Sequence, residues 1–256
     1  MTRLEVRSPF NAPVFFEETV SSTMDVSRQL AAGGEPHGTV ITADFQTAGR
    51  GRGQNRLWEM DRGLNLSFTI ILRYSGLEKI PPALTLRAGL AVSLAIEDFA
   101  PSLCGKVLVK WPNDVMLGCK KAVGIICEAD GGNAHLGIGV NVAQKEFPAH
   151  LKEKATSIAS AAGMDITHID RFLLLEKILL RLYDELETAA GEDWKPRLEN
   201  RLYKKNENVL FLDGEADSGK EIKGQLAGIG ENGELLVKPE GETKMRQLVT
   251  GEIIFS

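Results

Sequence analysis

Apolar residues recur along this chain at two spacings, and the points where the spacing changes mark its elements. Val14-Phe15-Phe16 reads as a short strand. Ser21-Ser22-Thr23 supplies hydroxyls suited to capping a helix over residues 24–32, which Gly33-Gly34 ends. Residues 39–45 are rich in β-branched side chains and read as a strand. It runs into Gln46-Thr47-Ala48-Gly49-Arg50-Gly51-Arg52-Gly53-Gln54-Asn55, too glycine-rich for helix or strand. Leu64, Leu66, Phe68 and Ile70 then alternate with polar residues, as in a strand with one buried face. After Pro81-Pro82, residues 84–99 carry apolar positions at helical spacing with few polar ones, which predicts a largely buried helix.

Residues 106–110 predict a strand that Trp111-Pro112 ends, because proline cannot donate to a ladder. Two apolar strands over 122–128 and 135–142 flank Asp130-Gly131-Gly132-Asn133, a strong hairpin signal. Asp170 caps an amphipathic helix with Phe172, Leu175, Ile178, Leu179, Leu182 and Leu186 on one face. Beyond about residue 207 the texture changes. Short strands at 209–212, 221–229, 234–238 and 243–249 are separated by Asp213-Gly214, Asn232-Gly233 and Glu240-Gly241 turns. Close strands with tight turns predict a small β-barrel of about fifty residues. The expected architecture is thus a large α/β (α+β) domain over 1–205 and a β-rich C-terminal domain over 206–256.

Composition narrows this little. The 256 residues, 43% hydrophobic and 25% charged, suit a globular protein. No uncharged apolar run reaches the roughly 18 residues of a bilayer-spanning helix, and Met1-Thr2-Arg3-Leu4-Glu5 is unlike a secretory signal. Cys104, Cys119 and Cys127 are odd in number and lack metal-binding spacing; reduced thiols in the cytoplasm are the simplest reading. The four histidines are scattered, so no histidine metal site is expected. A net charge of −5 argues against a general nucleic-acid binder.

Four features carry candidate chemistry. In Gly49-Arg50-Gly51-Arg52-Gly53, glycines let backbone N–H groups approach an anion, and arginines add charged forks for phosphate or carboxylate oxygens. A flexible surface loop would read the same way. The pattern is neither a P-loop nor a dinucleotide fingerprint. In Lys110-Trp111-Pro112-Asn113-Asp114, a lysine, an amide and a carboxylate on a stiffened turn suit a nucleotide phosphate and its Mg²⁺, although Trp-Pro could equally pack a corner above an Asx turn. Lys121 opens an otherwise apolar strand at the sheet edge. Asn141, deep in Gly137-Ile138-Gly139-Val140-Asn141-Val142, must find partners or cost about 1–3 kcal/mol. Its amide either reads a base or satisfies a neighbouring backbone. Gly124, Gly137 and Gly139 leave room for a ligand against the strands.

In this order, from about residue 14 to the C-terminus, these pieces resemble the biotin–protein ligases. The matching residues are Ser22-Thr23, Gln46 with Gly49-Arg50-Gly51-Arg52, Trp58, the Lys110-to-Asp114 cluster, Lys121 with Gly124-Ile125, Asn141, and Ala155-Thr156-Ser157-Ile158. The resemblance implies a mixed-sheet catalytic domain like that of the class II synthetase-like biotin/lipoate ligases, with an SH3-like C-terminal barrel. It implies ATP-dependent activation of biotin to biotinyl-5'-AMP and its transfer to a lysine of a biotin carboxyl carrier protein, with Mg²⁺.

By the same resemblance, Ser22, Thr23 and Gln46 contact biotin, and Arg50, Gly51 and Arg52 close over its carboxylate and the α-phosphate. Lys121 holds the carboxylate beside that phosphorus. Lys110, Asn113 and Asp114 meet the triphosphate and its metal, and Trp58 and Asn141 meet adenine. Arg52, Lys121, Lys110 and Asp114 are the expected catalytic set. Met24 stands where some relatives carry Asn, and five residues separate Arg52 from Trp58, one more than in many relatives. With no helix-turn-helix ahead of the motifs, a ligase-only form is expected, without nucleic acid or membrane as partner. A homodimer paired through the central sheet is compatible with it. Lipoate or octanoate attachment is the nearest alternative. The loop over 49–56 is expected to move when no ligand is bound.

Overall fold

A computed structural model describes residues 1–53, 56–188, 191–214 and 219–254. Its larger sheet takes β1 (Thr2–Arg3), β2 (Val14–Glu17), β3 (Val40–Ala43), β4 (Leu66–Arg73), β5 (Val107–Lys110), β6 (Asp114–Leu117), β7 (Lys120–Asp130) and β8 (Asn133–Val140). Their spatial order is β1-β2-β3-β4-β8-β7-β6-β5. Only β2–β3 among these neighbours is parallel; the other pairings are antiparallel, so the sheet is mixed and the fold α+β.

Helices α2 (Leu84–Phe99) and α4 (Arg171–Glu187) pack together over one face and share its core with Val123, Ile125 and Leu136. Gly89 lets α2 approach closely, since a methyl there would meet Val109 Cγ1 at 3.1 Å. Helix α1 (Thr23–Ala32) lies across β3, β4 and β8 on the opposite face. Ser22 caps it as expected, accepting from Met24 N–H at 3.3 Å. Short helices α3 (Ile158–Ala162) and α5 (Trp194–Glu199) complete the helical elements used below.

Two expectations change here. Strand β4 is buried on both faces, because α1 covers the face that carries its polar residues. Thr69 donates to Thr23 Oγ1 at 2.8 Å and Ser67 contacts Met60 Sδ at 3.2 Å, so these side chains are partnered in the interior. The larger change is C-terminal. Strands β9 (Asn208–Asp213), β10 (Lys220–Ile229), β11 (Leu235–Pro239), β12 (Arg246–Leu248) and β13 (Gly251–Ile254) form an open sheet, ordered β12-β11-β10-β9-β13. Among the described residues the SH3-like barrel is therefore not formed: β12 and β13 end as opposite edges, and no sheet closes.

Only residues 249 and 250 separate β12 from β13, but β13 pairs with β9 instead of with β12, so the two edges stay apart. The apolar face of this sheet is covered by other means. Phe211, Leu226, Val237 and Ile253 share one core with Leu86 and Leu90 of α2, Trp111, and Trp194 and Leu198 of α5. Trp111, 2% exposed, also donates its Nε1–H to Gly233 O at 3.0 Å. Among the described residues no helix is long and apolar enough to cross a membrane.

Candidate functional site

The centre of the large sheet has a floor without side chains. In the β7–β8 ladder Gly124 pairs with Gly139, and Ile126 with Gly137. Over this floor lies a small cavity, because the side chains of Trp58 and Met24 fill much of the space above the glycines. The α1 N-terminus (Ser22, Thr23, Met24), Gln46, the loop residues Arg50 to Arg52, Trp58, Asn113 and Lys121 converge on it. Its polar end is internally bonded. Gln46 Oε1 accepts from Thr23 N–H at 2.8 Å and from Thr23 Oγ1 at 3.2 Å.

Two side chains rest on the glycine floor. A methyl on Gly137 would meet Met24 Sδ at 2.8 Å, and one on Gly139 would meet Trp58 Cε2 at 2.4 Å. Trp58 also lies over Gly124, where the corresponding distance is 3.0 Å, and its buried Nε1–H has no hydrogen-bond partner among the described residues. Lys121 Nζ stands 5.9 Å from the indole centroid. Trp58 thus occupies the space that the glycines leave above the strands.

The Gly-Arg loop is pinned at its base. Gly51 N–H donates to Arg56 O at 2.7 Å and Trp58 N–H to Gly49 O at 2.9 Å, a short antiparallel ladder. Gln54 and Asn55, at its tip, lie outside the described residues. Each arginine has acidic or carbonyl partners. Arg50 meets Asp25 at 2.5 Å and Glu128 at 3.4 Å. Arg52 donates to Gly251 O at 2.5 Å, and Arg56 forks onto Glu252 at 2.7 and 2.9 Å. Burial pushes the Arg52 guanidinium below its usual value, against the opposing pull of Glu252. The loop is therefore bound to β13 of the C-terminal sheet, a link that spacing along the chain does not encode.

The second cluster divides. Lys121 Nζ pairs with Asp114 Oδ1 at 2.6 Å. Asn113 lines the cavity while its Nδ2 donates to Ile125 O at 2.7 Å. Lys110, 5% exposed, lies beyond the cavity lining; burial lowers its pKa to about 8, with Asp114 and Glu252 pulling the other way. Asn141 also lies outside the lining and donates Nδ2–H to Thr156 O at 3.1 Å, holding the segment before α3. Of its two readings, the neighbouring backbone is the partner present. Among the described residues no group of three His, Cys, Asp or Glu side chains converges as a metal site. Ser67, Phe68, Ile126 and Ile138 join the lining, and only the glycine pattern beside them hinted at this.

Comparison with known proteins places these features in a family. Residues 16–144 match the model of the biotin/lipoate A/B protein ligase family. The bifunctional ligase/repressor BirA of Bacillus subtilis is 38% identical over 174 residues, covering 65% of this chain and 51% of that protein. The chain thus matches about half the length of that relative. The biotin–[acetyl-CoA-carboxylase] ligase of Paracoccus denitrificans is 30% identical over 227 residues, covering 84% and 89% respectively. Among solved structures, the biotin protein ligase of Aquifex aeolicus in complex with biotin and ATP superposes with a TM-score of 0.78 at 31% identity, covering 94% of this chain and 97% of that one. On the extent of the family match and the identity to the Paracoccus enzyme, the chain belongs to the biotin/lipoate A/B protein ligase family.

Proposed function

We propose that this chain is a biotin–protein ligase. In its first step a carboxylate oxygen of biotin attacks the α-phosphorus of ATP and pyrophosphate leaves, giving biotinyl-5'-AMP. In its second, the amine of an acceptor lysine attacks the acyl carbon and AMP leaves. The observation that carries this reading is the convergence of the α1 polar end, the Gly-Arg loop and Lys121 on one glycine-floored cavity.

Each part suits one part of the reaction. Ser22, Thr23 and Gln46 present donors and acceptors to a ureido ring, which the apolar lipoyl or octanoyl group would not use. Arg50, Gly51 and Arg52 close over the biotin carboxylate and the α-phosphate. Lys121, now on Asp114, offsets the repulsion between two anions that must meet. Lys110, Asn113 and Asp114 serve the triphosphate. Mg²⁺ would come with ATP, as a phosphate-bound ion beside Asn113 and Asp114. Trp58 leaves the glycine floor to cover adenine, and Asn141 positions the adjoining segment. The adenylate is already reactive, so the second step needs orientation and exclusion of water.

The acceptor is a biotin carboxyl carrier domain, and the free thiols of Cys104, Cys119 and Cys127 suit a cytoplasmic setting. Residues 1–205 act as the catalytic domain and 206–256 as a C-terminal domain whose β13 steadies the loop. The test is biotin-dependent pyrophosphate release from Mg-ATP by wild type and Lys121→Ala. Release by wild type and its loss in the variant are expected; no release, or equal release, ends the proposal. Thermal stabilisation by biotin and not by lipoate separates the two substrate classes.

A further inference from the structure

Beside the cavity, between α1 and the β7–β8 hairpin, lies a charge cluster that the proposed chemistry does not use. Asp25 and Glu128 both hold Arg50. Arg28 is shared among Asp25 at 3.2 Å, Glu128, and Asp130 at 3.9 Å. Asp130 in turn faces His135 Nε2 at 3.3 Å. His135 is fully buried, and its Nδ1 contacts Ser27 Oγ at 2.9 Å. Ser27 Oγ also lies 2.8 Å from Met24 O.

We propose that Asp25 and Glu128 form a tether that competes with the ligand's carboxylate for the Arg50 guanidinium, and that a proton on His135 loosens it. The inference rests on the biotin-ligase reading of the cavity. Asp25 and Glu128 are positioning residues: they act on the ligand through Arg50, which lines the cavity while its charge is engaged behind it.

The sign follows from the groups around His135. Arg28 and Ser27 face it from α1, Glu128 and Asp130 from β7, where Glu128 is its register partner, and Arg73 adds positive charge from β4. Asp25, Glu128 and Asp130 are thus met by Arg28, Arg50 and Arg73. A further proton on His135 gives the cluster excess positive charge and weakens its hold on Arg50. Burial keeps His135 below the ordinary imidazole value, against the pull of Asp130, so this occurs on acidification and not at neutral pH. The paired side chains are about a third exposed, which limits the effect to a few-fold.

The test compares wild type with Asp25→Asn, Glu128→Gln and His135→Gln, using biotin and the uncharged biotinamide in calorimetry. Neutralising either acid should tighten biotin binding about two- to fivefold and leave biotinamide unchanged. Wild type should bind biotin more tightly as pH falls from about 7.5 to about 5.5, and His135→Gln should be flat over that range. Without ligand, tryptic cleavage after Arg50 should be faster in both acid variants. Equal biotin affinities, or the same gain with biotinamide, overturn the tether. A wild-type pH profile that His135→Gln reproduces removes the histidine from it. If wild type binds no biotin, the ligase reading fails instead, and the tryptic comparison still decides whether the two carboxylates hold Arg50.

Discussion

The indole of Trp58 lies against Gly139 so closely that a methyl on that α-carbon would stand 2.4 Å from Cε2. The atom met belongs to a rigid ring, so no flexible tip can absorb the contact. Gly139 is in a strand and is not among the positive-φ residues, so its backbone accepts alanine. Gly139→Ala should therefore fold and expel Trp58 from the floor, while the methyl narrows the ligand's seat. The expected readouts are a red-shifted Trp58 emission, isolated by difference from Trp58→Phe, and biotin binding weaker by about tenfold or more. An unchanged spectrum and affinity would show that neither indole nor ligand uses this floor.

Glu252 on β13 faces a ring of cations. Its hydrogen bonds from Arg56 hold its pKa below the ordinary carboxylate value, burial opposes, and the charges of Arg56, Lys110 and Arg52 add to the lowering. A carboxyl depressed on folding stabilises above its unfolded pKa and loses that contribution as pH falls through the folded one. Glu252→Gln should lower Tm at neutral pH by about 1–4 °C, a modest value because Arg56 is half exposed. The gap between variant and wild type should close as pH drops below about 4.5. A gap that persists in acid would mean that packing, not charge, joins the loop to β13.

What was legible in the chain was local. Ser22 as a cap, the Asp130-to-Asn133 hairpin and the glycines of β7 and β8 all act within a few residues of their own positions, and each stands where its pattern placed it. Strand β6 was missed because Trp111-Pro112 reads as a terminator, whereas the chain reverses there and Asp114 starts the next strand. The pairing of β13 with β9, the Arg56–Glu252 link and the Arg50 tether join residues far apart in sequence. No periodicity or turn motif specifies such pairs. The resemblance named candidate residues, of which Lys110, Asp114 and Asn141 lie outside the cavity lining, and it did not indicate that Trp58 rests on Gly139 or that Asn141 bonds to Thr156 O.

Glu185 is 2% exposed between Arg87 at 3.0 Å and Arg197 at 2.5 Å, and it joins α4 to α2 and α5. Burial raises its pKa although both arginines pull it down, so desolvation exceeds what the pairs return. Removing the carboxylate should still be costly, because Arg87 and Arg197 each lose a carboxylate partner. Glu185→Ala is expected to destabilise by about 3 kcal/mol in urea unfolding, and Glu185→Gln by much less. Equal losses in the two variants would mean that the charge itself stabilises this junction.

Under the proposed function, Lys110 should set a pH limit with a definite sign. Burial brings its ammonium from the ordinary 10.5 to about 8, against the charges of Asp114 and Glu252. An amine depressed on folding is charged at a penalty below its folded pKa, and the penalty disappears as pH rises toward the unfolded value. Stability should therefore increase from about pH 8 to about pH 10 in wild type, and this rise should be absent in Lys110→Met. Binding of a triphosphate needs the opposite state, the charged one. The ratio kcat/KM for ATP, which reports the free enzyme, should fall as pH passes about 8. Lys110→Arg keeps its charge throughout and should remove that fall, even if its longer fork lowers the rate at neutral pH. If wild type and Lys110→Arg share one alkaline limb, the titrating group lies elsewhere and Lys110 does not carry the charge that ATP meets.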